Sequence, residues 1–445
     1  MSAPDKKTSH SDHRNQNLLI LSNIAIVPLL TSFGGADAHL FQLYANDILA
    51  LREKEIGLLI GLVSLIMPLQ IFGVYFTRRW GAKPVLVVGF SLLFLLIPLL
   101  LLNGFIHGRS PESGLWFLGF IMLSLHAVHN FTKGIAFQPL IHYFTQRRER
   151  GWFFTKMRVG INGFNLLFFA VLSLTLGEQM TLAQYGWIIA FLMFYCFVAA
   201  VSSYALSTPD GMEIKSANWK GVRHEIKNIL TPGYYFLFVV MLLASLSGLP
   251  LLTTYLSSGL ELSANSISRL ITLNIVGLLA GLLIWGRLID RYGFIGILKI
   301  ILFFSALLSV AWLLVRPANE GWFAVLPSAM VLGGVVFFVG FFQSGLKMAL
   351  LVGAHNLVDK SLAVTALALF NTAHMLVVSL VSVGVGYYLH YTMRPWIFDG
   401  RFIMVDSYQL LCICGGVLCA LAALLCHHKN RIRFFSGKSA YTRHG

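Results

Sequence analysis

The sequence has little charge for its length, and acidic residues are the scarcest charged class. Only 11% of the 445 residues are Asp, Glu, Lys or Arg, whereas soluble domains carry about 25%. The 18 acidic residues stand against 33 Lys and Arg, so the formal net charge is +15. Because 57% of the residues are hydrophobic, this composition excludes a disordered chain and an ordinary soluble domain.

Cysteine is also scarce, and sequence motifs for catalysis are missing. Four of the five cysteines lie in one apolar stretch near the C-terminus, which indicates packing within a helix rather than a disulfide scaffold. The sequence has no glycine-rich phosphate loop, no Ser/His/Asp-like arrangement and no His cluster of metal geometry. It therefore predicts neither an enzyme nor a protein with a metal or another cofactor.

Long apolar runs dominate the sequence, and the backbone of such runs must be helical to satisfy its hydrogen bonds in lipid. We predict an all-α integral membrane protein with twelve transmembrane helices. The predicted spans are 18–45, 55–76, 84–106, 115–143, 152–176, 183–207, 233–257, 265–286, 296–315, 322–350, 361–389 and 405–427.

The longest connection between spans divides them into two sets of six. We predict a tail over 1–17, a six-helix bundle over 18–207, a linker over 208–232, a second six-helix bundle over 233–427 and a basic tail over 428–445. With the N-terminus inside, 25 of the 33 Lys and Arg fall on the cytoplasmic side and 7 on the other. This bias predicts that both termini are cytoplasmic, and it explains the net charge without a nucleic-acid partner.

Two short turns occupy corresponding places in the two predicted bundles. The turn after the eighth span reads G-R-L-I-D-R-Y-G from Gly286 to Gly293. The turn after the second span has Arg79, Gly81 and Lys83 at matching positions, but Arg78 replaces the acidic residue. The spacing between these turns and the preceding span ends is also similar, since Tyr44 to Arg79 is 35 residues and Tyr255 to Arg291 is 36.

The second turn resembles the G-x-x-x-D-R-x-G signature of the major facilitator superfamily, and the span count and linker fit that family. The resemblance covers nearly the whole chain and leaves the subfamily unidentified. It implies two pseudo-symmetric bundles that rock around a central site. It also implies a gating role for the residues of the two turns: Arg79, Gly81, Lys83, Gly286, Asp290, Arg291 and Gly293.

On this basis we predict a secondary active transporter in a bacterial inner membrane. Its partners would be lipid, a small organic solute of anionic or zwitterionic character, and protons, and it would act as a monomer. The alternatives are an exporter of amphiphilic compounds of the same superfamily and a membrane sensor that does not transport.

Polar side chains form a stripe along each of two neighbouring spans in the first half. The fourth span carries His126, His129, Asn130 and Lys133 on one face, and the fifth carries Arg158, Asn162 and Asn165. These residues either line a solute cavity or bind adjacent helices together. A buried ammonium needs an anion or water, so Lys133 favours a cavity, while Arg158 could equally extend to the membrane surface.

The first span contains the only carboxylate that the sequence places clearly within a span, Asp37. An isolated carboxylate in lipid takes up a proton readily, so Asp37 is a candidate for proton coupling, unless it forms a static ion pair with Lys133. Tyr44 shares its face and is a cavity candidate. The second half offers fewer candidates, Asn371 and His374 in the eleventh span, and His374 could instead be a hydrogen-bonded packing residue.

Overall fold

The computed structural model describes residues 10–33, 38–66, 76–77, 79–145, 150–207, 228–247, 251–315, 328–357, 363–392, 398–399 and 404–427. In the first half of the sequence the helices are α1 (His10–Phe33), α2 (His39–Asp47), α3 (Glu53–Leu65), α4 (Ala82–Leu96), α5 (Leu99–Arg109), α6 (Pro111–Phe144), α7 (Arg150–Thr175) and α8 (Leu182–Tyr204).

In the second half the helices are α9 (Pro232–Leu246), α10 (Leu252–Thr254), α11 (Ala264–Tyr292), α12 (Phe294–Ala311), α13 (Ser328–Asn356), α14 (Ala363–Thr392) and α15 (Ser407–Leu425). A π-helical turn, Tyr255–Gly259, follows α10, and a 3₁₀ turn, Trp312–Leu314, follows α12. Two short strands, β1 (Phe398–Asp399) and β2 (Met404–Val405), pair antiparallel before α15.

Nine helical segments in the described part of the chain are long and apolar enough to cross a membrane. They are Ala82–Arg109, Pro111–Thr132, Lys156–Thr175, Leu182–Tyr204, Ala264–Ile289, Phe294–Leu314, Met330–Ala354, Thr372–Thr392 and Ser407–Leu425. Each agrees with a span predicted from hydropathy, and the shorter helix Pro232–Leu246 lies within a tenth. The predicted all-α membrane fold is therefore confirmed.

The first helix begins earlier than the hydropathy of the sequence suggests. α1 starts at His10, within the segment predicted to be a tail, and its polar residues bind the ends of other helices. Asn15 Oδ1 accepts a hydrogen bond from the backbone N–H of Ser207, 3.0 Å away. Gln16 Nε2 donates to the carbonyl of Phe144, the last residue of α6, at 2.8 Å. The last carbonyls of a helix have no partner within it, so Gln16 satisfies one at the end of α6, while Asn15 binds the chain just after α8.

The structure forms two compact units. The first comprises Met1–Ala50, Leu65–Val171 and Gln179–Ala217, and the second comprises Leu51–Ser64, Leu172–Glu178 and Asn218–Gly445. The core of the first unit includes several fully covered side chains, among them Ile26, Leu86, Leu93, Ile121 and Leu192. The core of the second unit includes Leu237, Val240, Leu298, Ile301 and Leu302.

Glycines set the helix spacing in the second unit. A Cβ on Gly277 of α11 would lie 2.1 Å from the carbonyl oxygen of Phe337 in α13, and one on Gly340 would lie 2.1 Å from that of Asn274. A Cβ on Gly57 of α3 would lie 2.6 Å from the carbonyl oxygen of Ser382 in α14. Backbone atoms cannot move aside as a side chain can, so these crossings require glycine.

Candidate functional site

The polar stripe of α6 begins with a histidine that binds the open end of α1. The Nε2 atom of His126 lies 2.9 Å from the carbonyl oxygen of Phe33, the last residue of α1. That carbonyl has no partner within its own helix, so the N–H at Nε2 supplies one. His126 is 9% exposed. His126 therefore joins α6 to the end of α1.

Asn130 follows one turn along the same face of α6 and has a different environment. Its side chain is 3% exposed, and its Nδ2 has no hydrogen-bond partner among the described residues. Leaving a buried amide N–H unpaired costs about 1–3 kcal/mol. A polar group that carries this cost inside a membrane span is a candidate for binding a solute or an ordered water. His129, beside it, is half-buried.

The stripe of α7 lies on a helix that packs against α1. The Nδ2 of Asn23 lies 2.9 Å from the sulfur of Met157, and a Cβ on Gly160 would lie 2.4 Å from Cδ1 of Ile24. Between these contacts the Arg158 side chain is half-buried. Further along the helix Asn162 is half-buried and Asn165 is buried. The stripes of α6 and α7 thus both belong to the first unit.

Several predicted residues lie wholly or partly outside the described part of the chain. Asp37 falls in the interval 34–37 between α1 and α2. The helical backbone is described at Lys133, Asp290 and Asn371, but their side chains are not. The proton-coupling candidate and the principal buried cation consequently stay predictions.

Tyr44 is held in a closed network at the end of α2. Its hydroxyl lies 3.0 Å from Oδ1 of Asn103, and the Nδ2 of Asn103 donates to the carbonyl of Gly114 at 2.6 Å. The Tyr44 ring stacks on Tyr185 with centroids 4.0 Å apart and planes 6° apart. Tyr44 is fully covered by protein. Asn103 and Tyr185 were not predicted, because neither stands in a polar stripe.

The second unit contains a similar tyrosine pair with a carboxylate partner. Tyr255 and Tyr408 stack with centroids 4.1 Å apart and planes 8° apart, and the Tyr255 hydroxyl donates to Oδ2 of Asp406 at 2.6 Å. The matching position of Tyr44 and Tyr255 in the sequence could have indicated this pair. Asp406 was missed because it immediately precedes α15 and its tyrosine partner is 151 residues away.

His374 of α14 bonds to a helix in its own unit. Its Nδ1 lies 2.6 Å from Oγ of Ser245, and that hydroxyl donates to the carbonyl of Met241 at 2.7 Å. This contact agrees with the packing alternative for His374.

The two predicted gating turns have the same backbone geometry. Gly81 has φ 85° and ψ 158° at the start of α4, and Gly293 has φ 78° and ψ 153° at the start of α12. Only glycine adopts this region readily. Arg79 and Arg291 are exposed, and the Lys83 ammonium lies 5.5 Å from the ring centroid of Tyr204.

Gly286 is less constrained than the signature implies. A Cβ there would lie 3.5 Å from the sulfur of Met348, which is an ordinary van der Waals distance. The tight contact between α11 and α13 is instead at Gly277, nine residues earlier in the sequence, where an added Cβ would lie 2.1 Å from the carbonyl oxygen of Phe337.

The sequence model of the major facilitator superfamily matches residues 18–382 of the 445. The chain belongs to the major facilitator superfamily. Membership of this superfamily makes the protein an integral, multi-pass membrane protein and a secondary transporter rather than an enzyme. The resemblance inferred from its paired turns is confirmed. A search of curated proteins found no match.

Solved structures of superfamily members share the fold at low sequence identity. The crystal structure of the nucleoside transporter NupG is 12% identical, with a TM-score of 0.64, and the match covers 97% of this chain and 100% of that one. The crystal structure of a D-xylose-proton symporter is 14% identical, with a TM-score of 0.68, and the match covers 94% of this chain and 96% of that one. At these identities the likeness concerns the fold alone.

Proposed function

We propose that this protein moves a small organic solute of anionic or zwitterionic character across the membrane together with protons. The observation that carries the proposal is the buried amide of Asn130 in the middle of α6, whose Nδ2 has no hydrogen-bond partner among the described residues. The sequence places Lys133 three residues away and Arg158 on the next span. Ionisable groups within a membrane are costly and usually mark a solute path, and an excess of cations favours an anionic group on the solute.

The two solved relatives support a small polar solute and coupling to protons. One is named as a nucleoside transporter and the other as a D-xylose-proton symporter. In this protein Asp37 is the proposed proton carrier, since it is the only carboxylate that the sequence places clearly within a span. Transport would proceed by alternating access of two six-helix bundles, 18–207 and 233–427, joined by the linker 208–232.

The proposed setting is a bacterial inner membrane with both termini in the cytoplasm, where the protein acts as a monomer. Its support is the distribution of Lys and Arg, with 25 on the side of the termini and 7 on the other. Cysteine labelling at Ser110 and at Ser207 from the two sides of sealed vesicles tests the orientation. The proposal requires the Ser207→Cys variant to react only from the cytoplasmic side and the Ser110→Cys variant only from the opposite side.

A thermal-shift screen followed by flux measurements tests the proposed solute. The purified protein is screened against monocarboxylates, amino acids, nucleosides and pentoses, and each stabilising solute is then assayed in proteoliposomes with and without a pH gradient. We expect the stabilising solutes to carry a carboxylate or a comparable anion and their uptake to depend on the gradient. Stabilisation by uncharged solutes alone contradicts the anionic character, and the absence of any flux favours a sensor.

Two substitutions distinguish the loss of the Lys133 charge from a nonspecific loss of activity. Lys133→Gln should lower uptake of the anionic solute by about tenfold or more, because loss of a charged hydrogen bond costs about 1.5–3 kcal/mol. Lys156→Gln is the control, since Lys156 is exposed on α7 and its loss should change uptake by less than about twofold. Equal uptake by both variants would remove the argument from buried charge.

A further inference from the structure

A groove opens on the surface of the second unit between α12 and α15. It has a volume of about 360 Å³ and is lined almost entirely by apolar atoms. Phe303 and Phe304 border it on α12, and Ala420 and Leu424 border it on α15. Both helices are membrane spans, so a groove between them opens toward lipid.

The apolar side chains around the groove are not covered by other residues in the part of the chain that the structure describes. Phe303 is 53% exposed, Phe304 is 44% exposed and Leu424 is 62% exposed. Within a membrane such surfaces are covered by acyl chains, and gaps of this size are filled rather than left empty. An acyl chain is therefore the occupant that the walls of the groove favour.

Among the residues that line the groove, those with polar side chains lie at one end. Lys299 lies in the second turn of α12, and His427 follows the last turn of α15. Both side chains line the groove and both are exposed. The ammonium of Lys299 and a ring N–H of His427 can donate hydrogen bonds to a phosphate. In the sequence, Lys429, Arg431 and Arg433 follow His427.

The corresponding helices of the first unit place their cation differently. α4 begins after Gly81 as α12 begins after Gly293, and Lys83 follows at the start of α4. The Lys83 ammonium lies over the ring of Tyr204, the last residue of α8, at 5.5 Å from its centroid. In the first unit a ring of the protein thus contacts the cation, whereas in the second unit Lys299 borders an open groove.

We propose that the groove between α12 and α15 binds one anionic phospholipid. Its phosphate would lie between Lys299 and His427, and an acyl chain would lie along Phe303, Ala420 and Leu424. With the proposed orientation this is a lipid of the cytoplasmic leaflet, where anionic headgroups meet basic segments. The site is separate from the solute stripe of the first unit, so transport and lipid binding can fail independently.

Native mass spectrometry of the full-length protein in neutral detergent tests this site. Phosphatidylglycerol and phosphatidylcholine with identical acyl chains are compared as probes, with glycerol phosphate as the headgroup alone. We expect one phosphatidylglycerol to be retained more tightly than phosphatidylcholine by about fivefold or more, since each basic residue near an anionic headgroup contributes about 1 kcal/mol. Equal retention of the two lipids, or displacement of phosphatidylglycerol by glycerol phosphate, overturns the proposal.

Three variants separate the headgroup contact from the acyl contact. Lys299→Gln should weaken phosphatidylglycerol binding about fivefold and phosphatidylcholine binding less, because the choline cation offsets the phosphate charge. Ala420→Phe fills the groove and should weaken the binding of both lipids while leaving every cation in place. Lys83→Gln removes the same charge from the first unit and should change binding by less than about twofold.

The thermal unfolding midpoint of each variant is measured without added lipid to confirm that it folds. If Ala420→Phe does not fold, Ala420→Leu replaces it as a smaller filling of the same groove. Binding of phosphatidylglycerol at the wild-type affinity by both the Lys299 variant and the filled variant refutes the proposal.

Discussion

Each half of this protein has a stacked tyrosine pair, and the two pairs occupy the same position of its internal repeat. Tyr44 on Tyr185 and Tyr255 on Tyr408 have centroid distances of 4.0 and 4.1 Å and interplanar angles of 6° and 8°. The hydroxyl partners differ, however, because Tyr44 meets the neutral amide of Asn103 and Tyr255 meets the carboxylate of Asp406. The packing geometry is thus shared by the halves, while the polar chemistry around it has diverged.

The helix caps beside these pairs show the same divergence. Thr181 caps α8 and Asp406 caps α15, and each forms a reciprocal capping box with a glutamine three residues later. The hydroxyl of Thr181 serves its own helix end, whereas Asp406 caps α15 and also accepts the hydroxyl of Tyr255. Asp406 therefore both caps α15 and binds the Tyr255 hydroxyl. In the first half Thr181 caps α8, and Asn103 binds the Tyr44 hydroxyl.

The largest difference between the halves should follow from removing the two caps. Asp406→Ala loses both the cap and the charged bond to Tyr255 and should lower the free energy of unfolding by about 2–4 kcal/mol. Thr181→Ala loses a cap alone and should lower it by about 1 kcal/mol. Unfolding in mixed micelles, followed by tryptophan fluorescence, measures both. Equal losses would show that the Tyr255 bond adds nothing to the cap.

The paired turns should respond alike, unlike the caps. Gly81→Ala and Gly293→Ala each place a Cβ in a backbone region that only glycine adopts readily, at a cost of about 1–3 kcal/mol. Gly296→Ala is the matched control, because it lies within α12 with open space around the added Cβ, and alanine there should be neutral or stabilising. Thermal unfolding of the three variants checks this. A large loss at only one turn would break the equivalence of the halves.

Removing single hydroxyls tests the difference in partner chemistry directly. Tyr255→Phe should cost about 1.5–3 kcal/mol because its acceptor is charged, and Tyr44→Phe should cost about 1 kcal/mol. The hydroxyls of Tyr185 and Tyr408 are buried without a hydrogen-bond partner among the described residues. Phenylalanine at either position should leave stability unchanged or raise it, because it removes a buried hydroxyl that has no partner among the described residues. The same denaturation measurement applies, and a smaller loss at Tyr255 than at Tyr44 would reverse the comparison.

The smallest expected effect concerns Asp47, at the end of α2. Burial raises the pKa of its carboxyl, and a hydrogen bond from the backbone N–H of Met180 at 3.0 Å offsets part of this rise. Because the pKa of Asp47 is raised in the folded state, its protonated form favours folding. This contribution to stability is complete below the ordinary pKa of about 3.9 and is lost as the pH rises through the raised pKa.

Asp47→Asn removes this titration but keeps an acceptor for Met180. The variant should therefore be more stable than the wild type at neutral pH by about 0.5 kcal/mol. Thermal unfolding between about pH 4 and about pH 7 measures the difference, which should grow toward neutral pH. A wild type that becomes more stable than the variant as the pH rises would contradict the assigned sign.

The helices of the fold were largely predictable, because membrane spans need continuous apolar runs. The two glycine turns, at Gly81 and Gly293, mark where one span ends and the next begins. Breaks inside the spans were harder to foresee. The third predicted span contains an interruption between α4 and α5 at Pro98, and the seventh ends in the short helix α10 and a π-helical turn. Pro98 lacks the backbone N–H that a continuous helix needs, and hydropathy alone locates neither interruption.

The candidate site was predictable only where residues share one helix. The stripe from His126 to Asn130 follows from helical periodicity, and the structure finds both side chains buried. Partners on distant elements had no local signal. The Phe33 carbonyl that binds His126 is 93 residues away, and Asn103 is 59 residues from Tyr44. Sequence patterns identified the polar residues but not the groups they contact.

The contacts of the polar start of α1 also impose an order on biosynthesis. Asn15 bonds to Ser207, which lies 192 residues later in the chain. At about 5–20 residues per second, the ribosome needs roughly 10–40 seconds to make the intervening segment. The N-terminal segment must therefore wait through the insertion of the following spans before it reaches its final partners. Closure of the first unit is consequently a late event in its synthesis, because Asn15 can bind Ser207 only after the intervening spans have been made.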